Sequence, residues 1–223
     1  MKPSPYSPQS LVLFVFVLGL LLALIHIGIL RIVFEKLGLS ETAAFIMLFA
    51  SLLGSTINIP LFTIDAKEPF HEPVKLPKMG LLRWPKVQFE NKTLVAVNIG
   101  GCVIPLAFSL YLLLMHQLPM FKVALVVLIV SGLSWGFSRP IRGIGIAMPI
   151  FVAPVSSALL ALTLDPAHSA PLAYIGGTMG VLIGADLFRL NDIRYLGSPF
   201  ASIGGAGTFD GIFLSGVVAV LLA

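Results

Sequence analysis

Long apolar runs separated by short polar breaks dominate the chain, and most are long enough to be measured against a bilayer. A helix needs about 20 mostly apolar residues to cross the hydrocarbon core. By that measure seven runs qualify, at about 11–30, 43–61, 94–115, 121–137, 144–164, 170–188 and 203–223. The pattern predicts an all-α fold: a polytopic transmembrane helix bundle of about seven spans, forming one integral membrane domain over residues 1–223. The first run is followed by Ile29-Leu30-Arg31 rather than a small-residue cleavage site, so it reads as a retained span and not as a signal peptide. Stretch 62–93 is the long polar break. It carries Asp65, Lys67, Glu68, Lys75, Lys78, Arg83, Lys86, Glu90 and Lys92 beside Pro69, Pro73, Pro77 and Pro85, which argues for a loop rather than a helix. Within it, Leu81-Leu82-Arg83-Trp84-Pro85-Lys86 mixes basic and aromatic residues, as a segment lying on lipid headgroups does.

Composition agrees. Hydrophobic residues are 57% of the chain, charged residues 11%, and mean hydropathy is +1.01. A soluble domain carries about a quarter charged residues, so the soluble classes are excluded. Cys102 is the single cysteine and sits in an apolar run, which rules out an intramolecular disulfide. The net charge of +4 bears on topology before it bears on nucleic acid, and no nucleic-acid partner is expected. With loops alternating between sides, eleven Lys and Arg fall with the N-terminus and loop 62–93, and three (Arg31, Lys36, Lys122) fall opposite. The asymmetry predicts N-terminus in, C-terminus out and a cytoplasmic 62–93 loop, in a multi-pass protein of a prokaryotic plasma membrane.

Against this apolar background two aspartates stand out. Asp186 ends run 170–188, and Asp210 lies some seven residues into run 203–223, roughly 10 Å deep at helical rise. A carboxylate facing hydrocarbon costs roughly 2.5–3.5 kcal/mol on insertion scales, so one that persists is a functional candidate. Helices joined by a short connection are antiparallel neighbours, which would let the two acids face each other. Two close carboxyls share a proton and supply an acid and a base in one site. Such a pair activates water and protonates a leaving amine with neither metal nor organic cofactor. Gly176, Gly180 and Gly184 make a small-residue stripe suited to close helix contact. Gly205, Gly207 and Gly211 would let a substrate backbone approach Asp210. Asn58 before Pro60, and Asn98 upstream of Pro105, fall on the same side as the acids and are candidate supporting groups.

Other patterns carry less. Arg139 and Arg142 suit phosphate headgroups. Gly132-Leu133-Ser134-Trp135-Gly136 spells a nucleophile elbow but closes an apolar run, where that motif needs a strand, a turn and a helix. His71-Glu72 is followed by Pro73 and Lys75, so the helical zinc motif is not met and no metal is expected.

The stretch Gly205-Ala206-Gly207-Thr208-Phe209-Asp210-Gly211 resembles the Gly-x-Gly-Asp element of intramembrane aspartyl proteases, the group holding presenilin and signal peptide peptidase. That resemblance implies one catalytic aspartate near the end of a sixth span (here Asp186) and a second in the seventh (here Asp210), both toward the cytosol. The chain departs from the pattern in three ways. Thr208 and Phe209 separate the glycine from Asp210, Ala185 stands where tyrosine precedes the first aspartate, and no Pro-Ala-Leu follows. The whole chain is also similar to a family of prokaryotic membrane proteins ending in Gly-Gly-Ala-Gly-Thr-Phe-Asp-Gly, a likeness that implies no activity. Two expectations follow. The first is an aspartic endopeptidase cleaving membrane-embedded substrate helices, with Asp186 and Asp210 as the pair. The second is a small proton- or ion-coupled transporter using the same acids.

Overall fold

A computed structural model describes residues 8–26, 28–67, 92–142, 145–205 and 211–223. Helices occupy every apolar run, but most are shorter than the runs, because β-structure takes over at one end. The helices are α1 (Pro8–His26), α2 (Ile29–Lys36), α3 (Glu41–Gly54), α4 (Ile104–Met115), α5 (Met120–Phe137), α6 (Val152–Leu164), α7 (Ser169–Val181) and α8 (Gly211–Leu222). The strands are β1 (Asn58–Asp65), β2 (Lys92–Asn98), β3 (Arg139–Ile141), β4 (Gly145–Ala147) and β5 (Phe200–Ile203). Strand β2 lies centrally, antiparallel to β1 and parallel to β5, while β3 and β4 form a separate hairpin.

The all-α, seven-span expectation is therefore corrected. Five strands form two sheets, four of them (β1, β2, β4 and β5) at the ends of predicted runs, and among the described residues two helices are long and apolar enough to cross a membrane, Met120–Phe137 and Pro166–Leu187. The orientation derived from alternating sides falls with the seven spans it was counted over. The polar loop is also shorter than 62–93, since β1 runs to Asp65 and β2 starts at Lys92.

Local chemistry explains each break. Run 11–30 divides at Gly28, whose φ of 81° lies in the left-handed region. Run 43–61 stops being helical when the Ser55 and Thr56 hydroxyls turn back onto the carbonyls of Leu52 and Leu53. The following Ile57-Asn58-Ile59-Pro60 then suits an exposed edge strand, with a bulge between Pro60 and Phe62 that tolerates the missing N–H. In run 94–115 the β-branched Val95 and Val97 belong to β2, and Pro105 marks the first turn of α4, where its missing donor costs nothing. Pro154 likewise falls in the first turn of α6.

Helix α7 is the hub. Nearly all of its residues are buried, and it packs on α4, α5, α6 and α8. The glycine stripe makes this possible: a Cβ at Gly176, Gly180 or Gly184 would run into Val126 and Ser157, Val130, or Ser131 and Ser134. Small hydroxyls fasten the interior. Ser157 Oγ donates to the Ala173 carbonyl at 2.6 Å, and Ser109 meets Thr178 at 2.9 Å. Meanwhile Leu114 (77% exposed), Phe121 (77%) and Leu128 (71%) face outward. Buried hydroxyls with an apolar exterior invert the arrangement of a water-soluble protein and fit a lipid surround.

Candidate functional site

Asp186 lies in a π-helical turn, Leu182–Leu187, that continues α7. A second π-helical turn, Ile99–Val103, joins β2 to α4. Such turns are rare and concentrate at functional sites. Here both converge on one residue, Gly204.

Gly204 follows β5 with φ +83°, and a Cβ there would lie 2.6 Å from the Cys102 Cβ, 2.7 Å from its amide nitrogen and 2.8 Å from the Gly101 carbonyl carbon. No other residue fits. Held this way, Gly204 donates its N–H to Asp186 Oδ2 at 2.8 Å. Asp186 is partly buried, and among the described residues no Lys or Arg forms an ion pair with it. The nearest cation in sequence, Arg189, is committed elsewhere. Its Nη1 donates to Asp192 at 2.9 Å, its Nη2 to the carbonyls of Trp135 and Ser138 at 2.7 and 2.8 Å, and its guanidinium lies over the Trp135 ring. Arg189 thereby closes the exposed carbonyl end of α5.

Asp186 is among the residues that line a cavity of ≈ 290 Å³ between α6, α7, α8 and β4. Its walls are apolar (Met148, Phe151, Pro154, Ile212 and Val218 among them), and Ser215 is the other polar residue that lines it.

The two asparagines do come together. Asn98 Nδ2 donates to the Ser55 carbonyl at 2.7 Å and to Asn58 Oδ1 at 3.2 Å, while its Oδ1 accepts from the Gly101 amide at 2.7 Å. Ser202 Oγ donates to Asn58 Oδ1 at 2.6 Å. This network ties β1, β2 and β5 into one piece two residues before Gly204, and among the described residues neither asparagine touches a carboxylate. Gly205 is left-handed (φ +84°), and Gly211 opens α8. Asp210 and Gly207 lie outside the described residues, as does the Leu81–Lys86 surface segment. Ser134 is buried inside α5, in no elbow. No cluster of three or more metal-ligating side chains occurs among the described residues.

Sequence reasoning missed Ser202, Ser215, the guanidinium of Arg189 and the specific part played by Gly204. Only the glycine run around Gly204 and the apolar context of Ser215 hinted at them, and neither names a partner.

The fold and site define a membrane protein with an α-helical core, a small mixed sheet at one end, and an acid at an apolar cleft beside that sheet. Residues 52–222 match the family described as "Protein of unknown function (DUF1614)", and the chain belongs to that family. No curated protein and no solved structure matches it.

Proposed function

We propose that this protein is a multi-pass intramembrane aspartyl protease of a prokaryotic plasma membrane, cleaving membrane-embedded helices through Asp186 and Asp210. The observation that carries the reading is the placement of Asp186: a residue lining an apolar cleft, with one carboxyl oxygen accepting the Gly204 N–H and no Lys or Arg of the described residues paired with it. Ile212, two residues after Asp210 in the chain, lines the same cleft, and so does Ser215 one turn on. In this mechanism one ionised carboxylate takes a proton from water as the water attacks the scissile carbonyl. The partner, protonated, delivers its proton to the departing amide nitrogen. The Gly204 N–H fixes the orientation of Asp186. The Gly-x-Gly-Asp likeness around Asp210 supports the same assignment.

The test is cleavage of a single-span reporter in proteoliposomes by the full chain and by Asp186→Ala and Asp210→Ala. Loss of product in both variants, with the fold retained, is expected; cleavage surviving in either removes the proposal. That no Lys or Arg of the described residues pairs with Asp186 also favours a second reading, a proton- or ion-coupled carrier, since an acid without a fixed cation can exchange a bound one. Ion flux through liposomes without any cleavage would select it.

A further inference from the structure

We infer that the cleft bordered by Asp186 is a binding site for small lipophilic cations, molecules with an aromatic or branched aliphatic body and one ammonium-type head. This goes beyond both functional readings and requires neither peptide hydrolysis nor transport.

Charge sets the ligand class. A carboxylate in apolar surroundings must be neutralised by a proton, a fixed cation or a bound one. Among the described residues no fixed cation does so, and Arg189 is held by Trp135, Ser138 and Asp192. Oδ2 accepts from Gly204, and no described donor reaches Oδ1. Among the described residues one oxygen thus remains open to a ligand, and a cation is its complement.

Shape sets the body. An apolar cavity of about 150 Å³ already accommodates benzene, so the ≈ 290 Å³ here holds a benzyl group together with a trimethylated head. Phe151 supplies an aromatic wall suited to an alkylammonium. Access sets the route. Ile150 and Phe151 on one side and Leu214 on the other are exposed on the apolar exterior while lining the cleft, so the mouth opens toward lipid, where a lipophilic cation concentrates.

The experiment uses the purified full chain in nanodiscs of zwitterionic lipid. Calorimetric titration compares benzyltrimethylammonium with neopentylbenzene, its neutral carbon isostere. Expected is saturable binding of the cation that weakens at least tenfold in Asp186→Asn and survives in Asp186→Glu, while the neutral isostere does not distinguish the three proteins. Val218→Trp, which fills the cleft from α8 and leaves the acid in place, should abolish binding of both probes. Equal cation affinity in wild type and a folded Asp186→Asn overturns the inference. Should Asp186→Asn fail to fold, unchanged affinity in Val218→Trp overturns it instead. No step of the assay involves cleavage, so an active protease with a cation-indifferent cleft and a cation-binding protein without protease activity give different results.

Discussion

Asp165 and Asp186 are both acids at helix ends next to α7, and their surroundings could hardly differ more. Asp165, at the end away from the sheet, is clasped by Lys122 Nζ at 2.9 Å and His168 Nδ1 at 3.2 Å. The Lys122 ammonium holds its carboxyl below the usual carboxylate range. Asp186, at the sheet end, receives one backbone N–H and no ion pair from a described residue. A carboxylate whose charge is cancelled by its own fold has little left to offer a ligand. One that meets only a neutral amide among the described residues keeps an oxygen open to a ligand. The difference separates a clasp between α5 and the α6–α7 connection from a candidate site.

The sharpest way to break the contrast is to remove the acids in turn. Asp186→Ala should lower reporter cleavage by at least about a thousandfold with the fold intact, whereas Asp165→Asn should leave cleavage within about twofold. Equal losses would erase the distinction. Gly204→Ala comes next. The new methyl has no room against Cys102 and Gly101, and the left-handed backbone adds strain, so a loss of about 3 kcal/mol is expected, read as a lowered melting temperature in detergent. Arg189→Ala should cost about 2 kcal/mol by exposing the Trp135 and Ser138 carbonyls, and Arg189→Lys should recover little, because an ammonium cannot span that fork. Parallel melts of the two variants decide it.

The smallest effect belongs to the clasp. Lys122→Ala should cost about 1 kcal/mol or less at neutral pH, since Lys122 is about one-third exposed (34%). The pH dependence has a definite sign. Asp165 is depressed in the folded state, so its contribution is fully present above the unfolded value of about 3.9 and is lost as pH falls through the lower folded value. The melting temperatures of wild type and Lys122→Ala should therefore converge on acidification below about pH 4. Curves that stay parallel would show that the ion pair is not what stabilises this end.

Much of the helical core was legible along the chain. Runs 121–137 and 170–188 coincide closely with α5 and with α7 extended by its π turn, because each is long and apolar and the one proline, Pro171, falls in the first turn of α7. The stripe Gly176/Gly180/Gly184 read as a close-contact face, and it packs on α5. Asp186 stood out because an acid in an apolar run is costly. The ends of runs 43–61, 94–115, 144–164 and 203–223 were read wrongly for one reason. Hydropathy counts apolar residues and does not distinguish a strand from a helix over four to eight positions.

What the amino-acid sequence determined by itself, then, is the solvent: 57% hydrophobic residues with an apolar exterior can fold only against lipid or another apolar surface. It also singled out two acids that stand in apolar runs, Asp186 and Asp210. Tertiary structure alone decided that Val95 pairs with Phe62 and Ala201, residues far away in the chain, and so turned predicted helix into sheet. It alone aimed the Gly204 amide at Asp186 and committed Arg189 to α5. Strand pairing, backbone donors and the choice of an ion's partner depend on what arrives from a distance, and no local pattern of residues encodes that.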